Sequence, residues 1–550
     1  MPCSSKNLIA RFAALKSNQS KWLKVWSDCA RFCLPNASPL KVIAQKTAGQ
    51  SKQQPLDIAG ISASTKLASW LYSSTVYQGE EWFSLKARRI DGADQHDFEI
   101  EEFLQKASAA VLDTINPSNF IQVYQKMLRG YVVFGTTVLY SEFNDKKELV
   151  CKSWDISDGI YIGEDKNGEI DTVFREFEFS ARQAAQAFGI DNLHPDIRAA
   201  ALDPAQQDRK FKFIHCVFPR ADADKTKKLP KYKQFASVYV DIANEKIVED
   251  GGTDTFPYCV PRFYNTGEVY GRSPAMSAIP ALRALNMATF QYIENMRASG
   301  KPVAFVPTSM ADDVDLDPGA VNPYDSSEGQ VVLWSKSGDI SGTLNFIERL
   351  KSDIGEIFYN DVFQYLEDRK NMTATEAQLR YDEMIQGISP VLANLQNDLF
   401  KRFINRIVVF LCESGKIEVP ARFVDKNGNK KLPIFDVVYT SRLDTKIKGV
   451  QNADILNFLS MVGQASQVVA SNPQIAARVD LDKTCELIAK NCNVAGFELL
   501  LPQDVVSQNL EAQAQQAQMA QAQGMVKPID LQTAPVKGSA MDTMLNGSNL

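Results

Sequence analysis

Gly267-Glu268-Val269-Tyr270-Gly271-Arg272-Ser273-Pro274 runs directly into AMSAIPALRALNMATFQYIENMRASG, residues 275–300. Two glycines punctuate a turn. Ser273 has the side chain to cap a helix, and Pro274 suits a first helical turn, where its missing N–H costs nothing. The stretch predicts a helix from Pro274 to Ala298, about 37 Å long at 1.5 Å rise per residue, ended by Gly300-Lys301-Pro302. A return helix is predicted from about Phe346 to Leu366. Between them Val303 to Thr343 form an insertion with two strand-like runs, VAFVP and QVVLW, around a loop rich in Asp, Pro and Gly. Two long antiparallel helices with a small head at their tip are the expected result.

Downstream, NMTATEAQLRYDEMIQGISPVLANLQ places Thr373 and Glu376 at capping-box spacing. They open a helix whose apolar positions include Leu379, Met384, Ile388, Leu392, Leu395, Leu399, Phe403 and Ile407. Ser389-Pro390 should kink it, and it stops near Gly415. A hairpin turning at Asn427-Gly428 follows, then helical segments from Val450 to about Leu500. From Leu510 the chain becomes an Ala/Gln tract with almost no apolar face, and the last 25 or so residues read as disordered.

Upstream, Lys6 to Leu34 reads as one amphipathic helix carrying Leu8, Phe12, Leu15, Trp22, Trp26 and Cys29. A loop from Pro35 to Pro55 precedes helices over Ile58–Tyr77 and Asp97–Ile115, the latter stopped by Asn116-Pro117. From Tyr131 the period shifts towards two: YVVFGTTVLYSEF, ELVCKSW, GIYIG and EIDTVFREFEF, with reversals at Asn144-Asp145 and Asn167-Gly168, form an antiparallel meander. Ser180 caps the short helix ARQAAQAF and Gly189 stops it. FKFIHCVFP, FASVYVDI and CVPRFYN are further strands. The fold class is α+β.

The 550 residues are enough for several domains. With 45% hydrophobic and 23% charged residues the balance is that of a soluble globular protein. The longest aliphatic run, Ile407 to Cys412, is far short of the roughly 20 residues a membrane helix needs, and the N-terminus does not read as a signal peptide, so synthesis in a cytosol is expected. Nine cysteines give no disulfide framework. Cys29 and Cys33 stand at i,i+4 spacing with no His or second Cys pair to complete a zinc site. His96, His194 and His215 are the three histidines, none in a nucleophile motif. In the loop DDVDLDPG the acids Asp313, Asp315 and Asp317 alternate as in a calcium loop, but Tyr324 stands where the bidentate Glu belongs. No metal or cofactor is expected. The net charge of −6 excludes an overall basic nucleic-acid binder.

Four blocks in order, KLASWLYSSTVYQGEEWFSL (66–85), SNFIQVYQKMLRGYVVFGTTVLYSEF (118–143), the Ser273-Pro274 helix and the Thr373–Glu376 helix, together resemble the portal (head-to-tail connector) proteins of short-tailed double-stranded DNA bacteriophages. The resemblance covers roughly residues 58–412. It implies a ring of about twelve subunits at one capsid vertex of the virion, made in the host bacterial cytoplasm. The protomer would have a mixed α/β wing over 1–270 and a helical stem over 275–299 and 346–366. The clip would be 300–345, and a channel loop, kinked wing helix and hairpin would fill 367–445. A helical crown over 446–510 and the tail 511–550 complete it. Twelve inner helices about 10 Å apart form a circle about 38 Å across, leaving a bore of roughly 28 Å, wide enough for a duplex.

The implied partners are further copies of the chain, double-stranded DNA, the terminase large subunit, tail adaptor and tail tube proteins, and capsid and scaffolding proteins, with no membrane. The channel loop falls on Glu367 to Thr373, which makes Arg369, Lys370 and Asn371 DNA-channel candidates beside Arg283, Arg297 and Lys301 on the first stem side. Each cation reads equally as a channel contact or an inter-subunit ion pair. Partner docking falls to the clip, with Asp312, Asp313, Asp315, Asp317, Tyr324 and Trp334, the last also readable as core. A metal-dependent nuclease using Asp312, Asp313 and Asp315 is the alternative. Against it, those acids share one short loop without a completing Lys or His, and no GxxxxGK[ST] loop is present for nucleotide hydrolysis. The expectation is a non-enzyme.

Overall fold

The computed structural model describes residues 4–34, 55–76, 81–88, 98–144, 146–221, 223, 229–300, 303–305, 332–334, 340–360, 387–420, 423 and 433–439. All belong to the unit Met1–Tyr439. The helical half of this unit is organised by helices α1 (Ser5–Ser20), α2 (Leu23–Cys33), α3 (Ala59–Thr75), α4 (Phe98–Ile115) and α5 (Phe120–Phe134). The N-terminal helix expected as one piece is two. Leu8 and Phe12 of α1 pack on a sheet with Tyr161, Phe174 and Ile214, whereas Trp26, Cys29, Phe32 and Cys33 of α2 enter the main helical core. A break at Lys21–Trp22 lets one amphipathic segment serve two cores. Cys29 and Cys33 are buried free thiols, Cys33 pushed up to about 12 by burial.

Helix α5 is buried at Phe120, Tyr124, Met127, Leu128 and every residue from Gly130 to Phe134, as befits a helix surrounded by other elements. Here the sequence expectation is corrected: Tyr131–Phe134 is helical, not the start of a strand. Gly135, at φ 75°, ends the helix in the left-handed region, its N–H bonded to the Tyr131 carbonyl. The β-branched run beforehand has strand propensity, but packing on all sides overrides it. Strands β1 (Phe83–Ala87), β2 (Thr137–Phe143), β3 (Leu149–Asp155), β4 (Ile160–Glu164) and β5 (Ile170–Ser180) follow in chain order among these helices. The reversals fall at Asn144 and Asn167-Gly168 as expected, with Lys147 N–H bonded to the Asn144 carbonyl and Gly168 at φ 80°.

Helix α6 (Ala181–Phe188) carries the capping box on Ser180 with Gln183 as its reciprocal partner, and Gly189 ends it at φ 78°. Helix α7 (Pro195–Leu202), strands β6 (Lys210–Pro219), β7 (Phe235–Asp241) and β8 (Lys246–Thr253) complete a five-stranded antiparallel sheet in the order β4-β5-β6-β7-β8. Alternation sorts its faces. Ile214 meets α1, while neighbouring Phe213 meets Phe188 of α6 and Ile197 of α7. Strand β8 and helix α7 had not been expected. The run CVPRFYN, read as a strand, is reduced to β9 (Tyr258–Cys259), which pairs with β2 beside β3. Pro261 cannot donate to a ladder, and only the isolated bridges Thr136↔Arg262 and Tyr264↔Arg272 continue it.

Helix α8 (Pro274–Gly300) leads to strand β10 (Val303–Phe305), which pairs antiparallel with β11 (Val332–Trp334), and helix α9 (Ile340–Ile357) returns along α8. The return helix thus starts and ends earlier than the 346–366 expected. Its stop has a local cause: Tyr359 sits at φ 58°, Asn360 N–H reaches back to the Gly355 carbonyl at 2.8 Å, and Tyr359 Oη meets Tyr264 Oη at 2.6 Å. Helical residues 387–395 run through a wider π-turn at Gln396–Lys401 into α10 (Arg402–Glu413). Phe400 there packs at a tilt against Trp82 and Tyr124, ring centres 5.0 and 5.5 Å away, and Phe403 stacks on Phe120 at 4.7 Å. Strand β12 (Phe435–Tyr439) pairs with β1. The Thr373–Glu376 capping box, the Asn427-Gly428 turn and everything after Tyr439 lie outside the described residues, and Ser389-Pro390 stands at the edge of them.

Candidate functional site

The α8–α9 hairpin is rooted in the core by the turn that precedes it. Ser273, completely buried, does two things with one hydroxyl: it accepts from the Met276 N–H at 3.1 Å, capping α8, and donates to the Val133 carbonyl at 2.8 Å in the last turn of α5. That carbonyl is one of those a helix end leaves without a donor. Gly271 donates its N–H to Thr136 Oγ1 at 2.8 Å. A Cβ on Gly271 would stand 2.7 Å from the Gly135 carbonyl oxygen and 2.8 Å from Arg262 Cβ, and one on Gly135 would meet the Gly271 carbonyl oxygen. The two glycines therefore let the backbone entering α8 lie directly on the backbone leaving α5. Tyr270 packs beside Trp22 and Trp26, ring centres 5.9 and 5.2 Å away.

Along α8 the buried side is Ala275, Ala278, Ile279, Leu282, Leu285 and Ala288. The opposite side, at spacings of three and four, carries Pro280, Arg283, Met287, Phe290 and Glu294 in solvent. Met287 is 63% and Phe290 54% exposed; Met296 on α8 and Leu344 and Phe346 on α9 are exposed as well. Among the described residues of the hairpin, these five large apolar side chains are each more than a third exposed. The hairpin is tied laterally to residues 55–57: Asn286 Oδ1 accepts from the Leu56 N–H at 2.8 Å, and Lys351 Nζ meets Asp57 Oδ2 at 2.7 Å.

Of the channel candidates, Arg283 forms an ion pair with Asp28 of α2 at 2.6 Å and Arg297 with Glu294 one turn back at 3.0 Å. Both pairs lie within the chain and are solvated, so each contributes little to stability. Lys301, Arg369, Lys370 and Asn371 lie outside the described residues. So do Asp312, Asp313, Asp315, Asp317 and Tyr324 of the expected clip. Trp334 ends β11, its backbone opposite Val303. The two strands read from VAFVP and QVVLW do pair, at the tip of the hairpin. Among the described residues no group of His, Cys, Asp and Glu is placed to hold a metal ion, and no helix is long and apolar enough to cross a membrane.

Sequence reasoning missed the Gly135–Gly271 contact, which joins residues far apart in the chain, and the Tyr359 stop, for which no residue-type signal exists. The exposed Met287 and Phe290 were findable, since they fall off the helical period that runs through Ala278, Leu282 and Leu285.

Comparison with known proteins adds the remaining evidence. A family model described as bacteriophage head to tail connecting protein matches residues 5–496. The chain is 23% identical over 530 residues to a portal protein of Salmonella phage epsilon15, covering 94% of this chain and 93% of that one. It is 24% identical over 531 residues to a probable portal protein of Bordetella phage BPP-1, covering 94% and 92%.

Proposed function

The chain belongs to the family of bacteriophage head to tail connecting proteins, and from that premise we propose that it forms a ring at a capsid vertex through which double-stranded DNA is packaged and later ejected. Portal function in phage DNA packaging is what the family and both relatives have in common. The nuclease alternative is set aside, because these matches are to connectors.

The observation that carries the ring is the α8–α9 hairpin with Met287, Phe290, Met296, Leu344 and Phe346 in solvent. A ring closes through one heterologous interface repeated around an axis, and such an interface buries apolar side chains that the lone protomer leaves wet. Copies on either side of the protomer are the occupants that cover these side chains. In this reading α8 and α9 are the stem, β10 and β11 belong to the clip, and residues 1–270 with 387–413 form the wing, with the crown over 446–510. DNA passes by sliding: an overall charge of −6 keeps the number of released counterions, and so the friction of phosphate contacts, low. Motion is driven by a partner ATPase of the terminase type, while tail adaptors engage the clip.

Phe290→Asp tests the interface. Losing one buried Phe removes about 1.5–3 kcal/mol per interface, and burying an unpaired carboxylate costs more. Sedimentation velocity should show the wild type at a large multiple of the 61.2 kDa chain and the variant shifted to free protomer with unchanged circular dichroism. A variant that assembles like the wild type rules out this flank as the interface.

A further inference from the structure

A cavity of about 210 Å³ lies where β2 and β3 face the five-stranded sheet, lined by Tyr140, Glu142, Lys152, Trp154, Arg175, Phe177, Phe179, Ala187, Phe188, His215, Tyr239 and Glu249. It is smaller than a typical drug-sized cleft and suits a single ring or side chain. Its floor is one transverse row of the sheet. Arg175 pairs with His215, His215 with Tyr239, and Tyr239 with Glu249 in register across β5, β6, β7 and β8. A cation and an acid thus end a row whose middle is aromatic, three strand spacings or about 14 Å apart along the backbone.

Arg175 is held between two rings, its guanidinium carbon 3.9 Å from the centre of Trp154 and 4.6 Å from that of Phe177. Among the described residues no hydrogen bond or ion pair engages it. Every neighbouring charged group is otherwise occupied or distant. Lys152 and Glu142 pair with each other at 2.5 Å, and Glu249 is at the far end of the row. His215 stacks on Tyr239 at 4.2 Å and is bonded at both nitrogens, to Tyr258 Oη at 2.7 Å and Ser237 Oγ at 2.9 Å. Burial holds its pKa down at about 3, so it is neutral and brings no second positive charge. Stacking orients a guanidinium but satisfies none of its five N–H donors. A planar cation with free donors at the edge of an aromatic cavity is matched by a carboxylate, which it can bind bidentately. One cation with Glu142 nearby disfavours a doubly charged phosphate.

We propose that this cavity binds a carboxylate carried on an apolar, ring-sized stem, the carboxylate on Arg175 and the stem against Trp154, Phe177, Phe188 and Tyr239. The carboxylate can belong to a free small acid or to a Glu side chain of a partner polypeptide; the chemistry at Arg175 is the same. The site is independent of the ring interface on the helical hairpin.

Isothermal titration calorimetry on the full chain tests this with phenylacetate, phenylacetamide and the blocked dipeptide N-acetyl-Phe-Glu-amide. The acid should bind at least tenfold more tightly than its neutral amide. Arg175→Met should bring the two level, and Arg175→Lys, which keeps the charge but loses the two-pronged donor set, should weaken the acid at least threefold. Tighter binding of the dipeptide than of phenylacetate identifies a polypeptide as the source, and the reverse identifies a free acid. Equal binding of acid and amide, absence of binding by both acids, or an acid preference that survives in folded Arg175→Met overturns the proposal. If Arg175→Met does not fold, Arg175→Lys decides: acid affinity unchanged by that substitution also overturns it.

Discussion

Replacing Ser273 by Ala should loosen the α8–α9 hairpin from the core without touching either helix's packing face. The hydroxyl is completely buried and holds two groups at once, the Met276 N–H and the Val133 carbonyl. Losing a Ser cap to Ala costs about 1 kcal/mol. Leaving a buried carbonyl without a donor costs about 1–3 kcal/mol more, because no water reaches it. The sum, about 2–4 kcal/mol, lowers the melting temperature of a unit this size by roughly 2–4 °C. Ser273→Gly separates the two contributions. Glycine caps nearly as well as serine but still orphans the Val133 carbonyl, so it should fall between wild type and Ala. Thermal unfolding followed by tryptophan fluorescence at fixed protein concentration is the assay, since Trp22 and Trp26 surround Tyr270 in the same turn. An Ala variant within 0.5 °C of wild type, or a Gly variant less stable than Ala, would refute the dual role of the hydroxyl.

The buried His215 makes stability depend on pH. Its pKa is about 3 in the folded chain against 6.5 unfolded, so the unfolded chain binds more protons between those values. Stability is lost as pH falls through that window, by about 1.4 kcal/mol per unit. Asp155 has the opposite sign: burial raises it to about 6, so its share of stability falls as pH rises from about 4 to 6. Subtracting the urea stability of His215→Asn from that of wild type cancels Asp155, and the difference should decline from pH 6.5 towards 3; a flat difference contradicts a neutral buried His215. Deleting Asp312 to Asp325 should spare ring formation and abolish docking of the packaging motor and tail partners, measured by DNA packaging in extract; normal packaging refutes the clip assignment. Replacing Arg369 and Lys370 by Ala should leave rings intact and flatten the salt dependence of DNA retention, whereas rings that fall apart would place those residues at the subunit interface instead.

Much of this architecture was legible because local chemistry and tertiary structure agree. Ser273-Pro274 starts a helix where a cap and a first-turn proline say one should start, Ser180 and Gly189 bracket α6, and the runs VAFVP and QVVLW pair with each other although they are far apart in the chain. The errors occur where packing outvotes local preference. Tyr131–Phe134 looks extended by residue type and is helical because core surrounds it. Lys21–Trp22 breaks a periodic helix because its two halves enter different clusters, and Tyr359 stops α9 through a hydroxyl pair with Tyr264 that no spacing encodes. The site is less legible than the fold for a different reason. A ring interface requires knowing which face the protomer leaves bare, and that is set by what α2, α3 and α9 already cover on α8. The cation row of β5 to β8 was hidden likewise, since register brings Arg175 and His215 together from strands joined through two intervening helices.

Electron microscopy of the purified full-length protein tests the central claim most directly. A conduit assembled on the α8–α9 hairpin should appear as closed rings of one size with an axial opening of roughly 28 Å, the width left inside about twelve helices packed 10 Å apart, and Phe290→Asp should abolish them. Single protomers, dimers or closed particles without an axial hole, under conditions where the chain is folded, would contradict it.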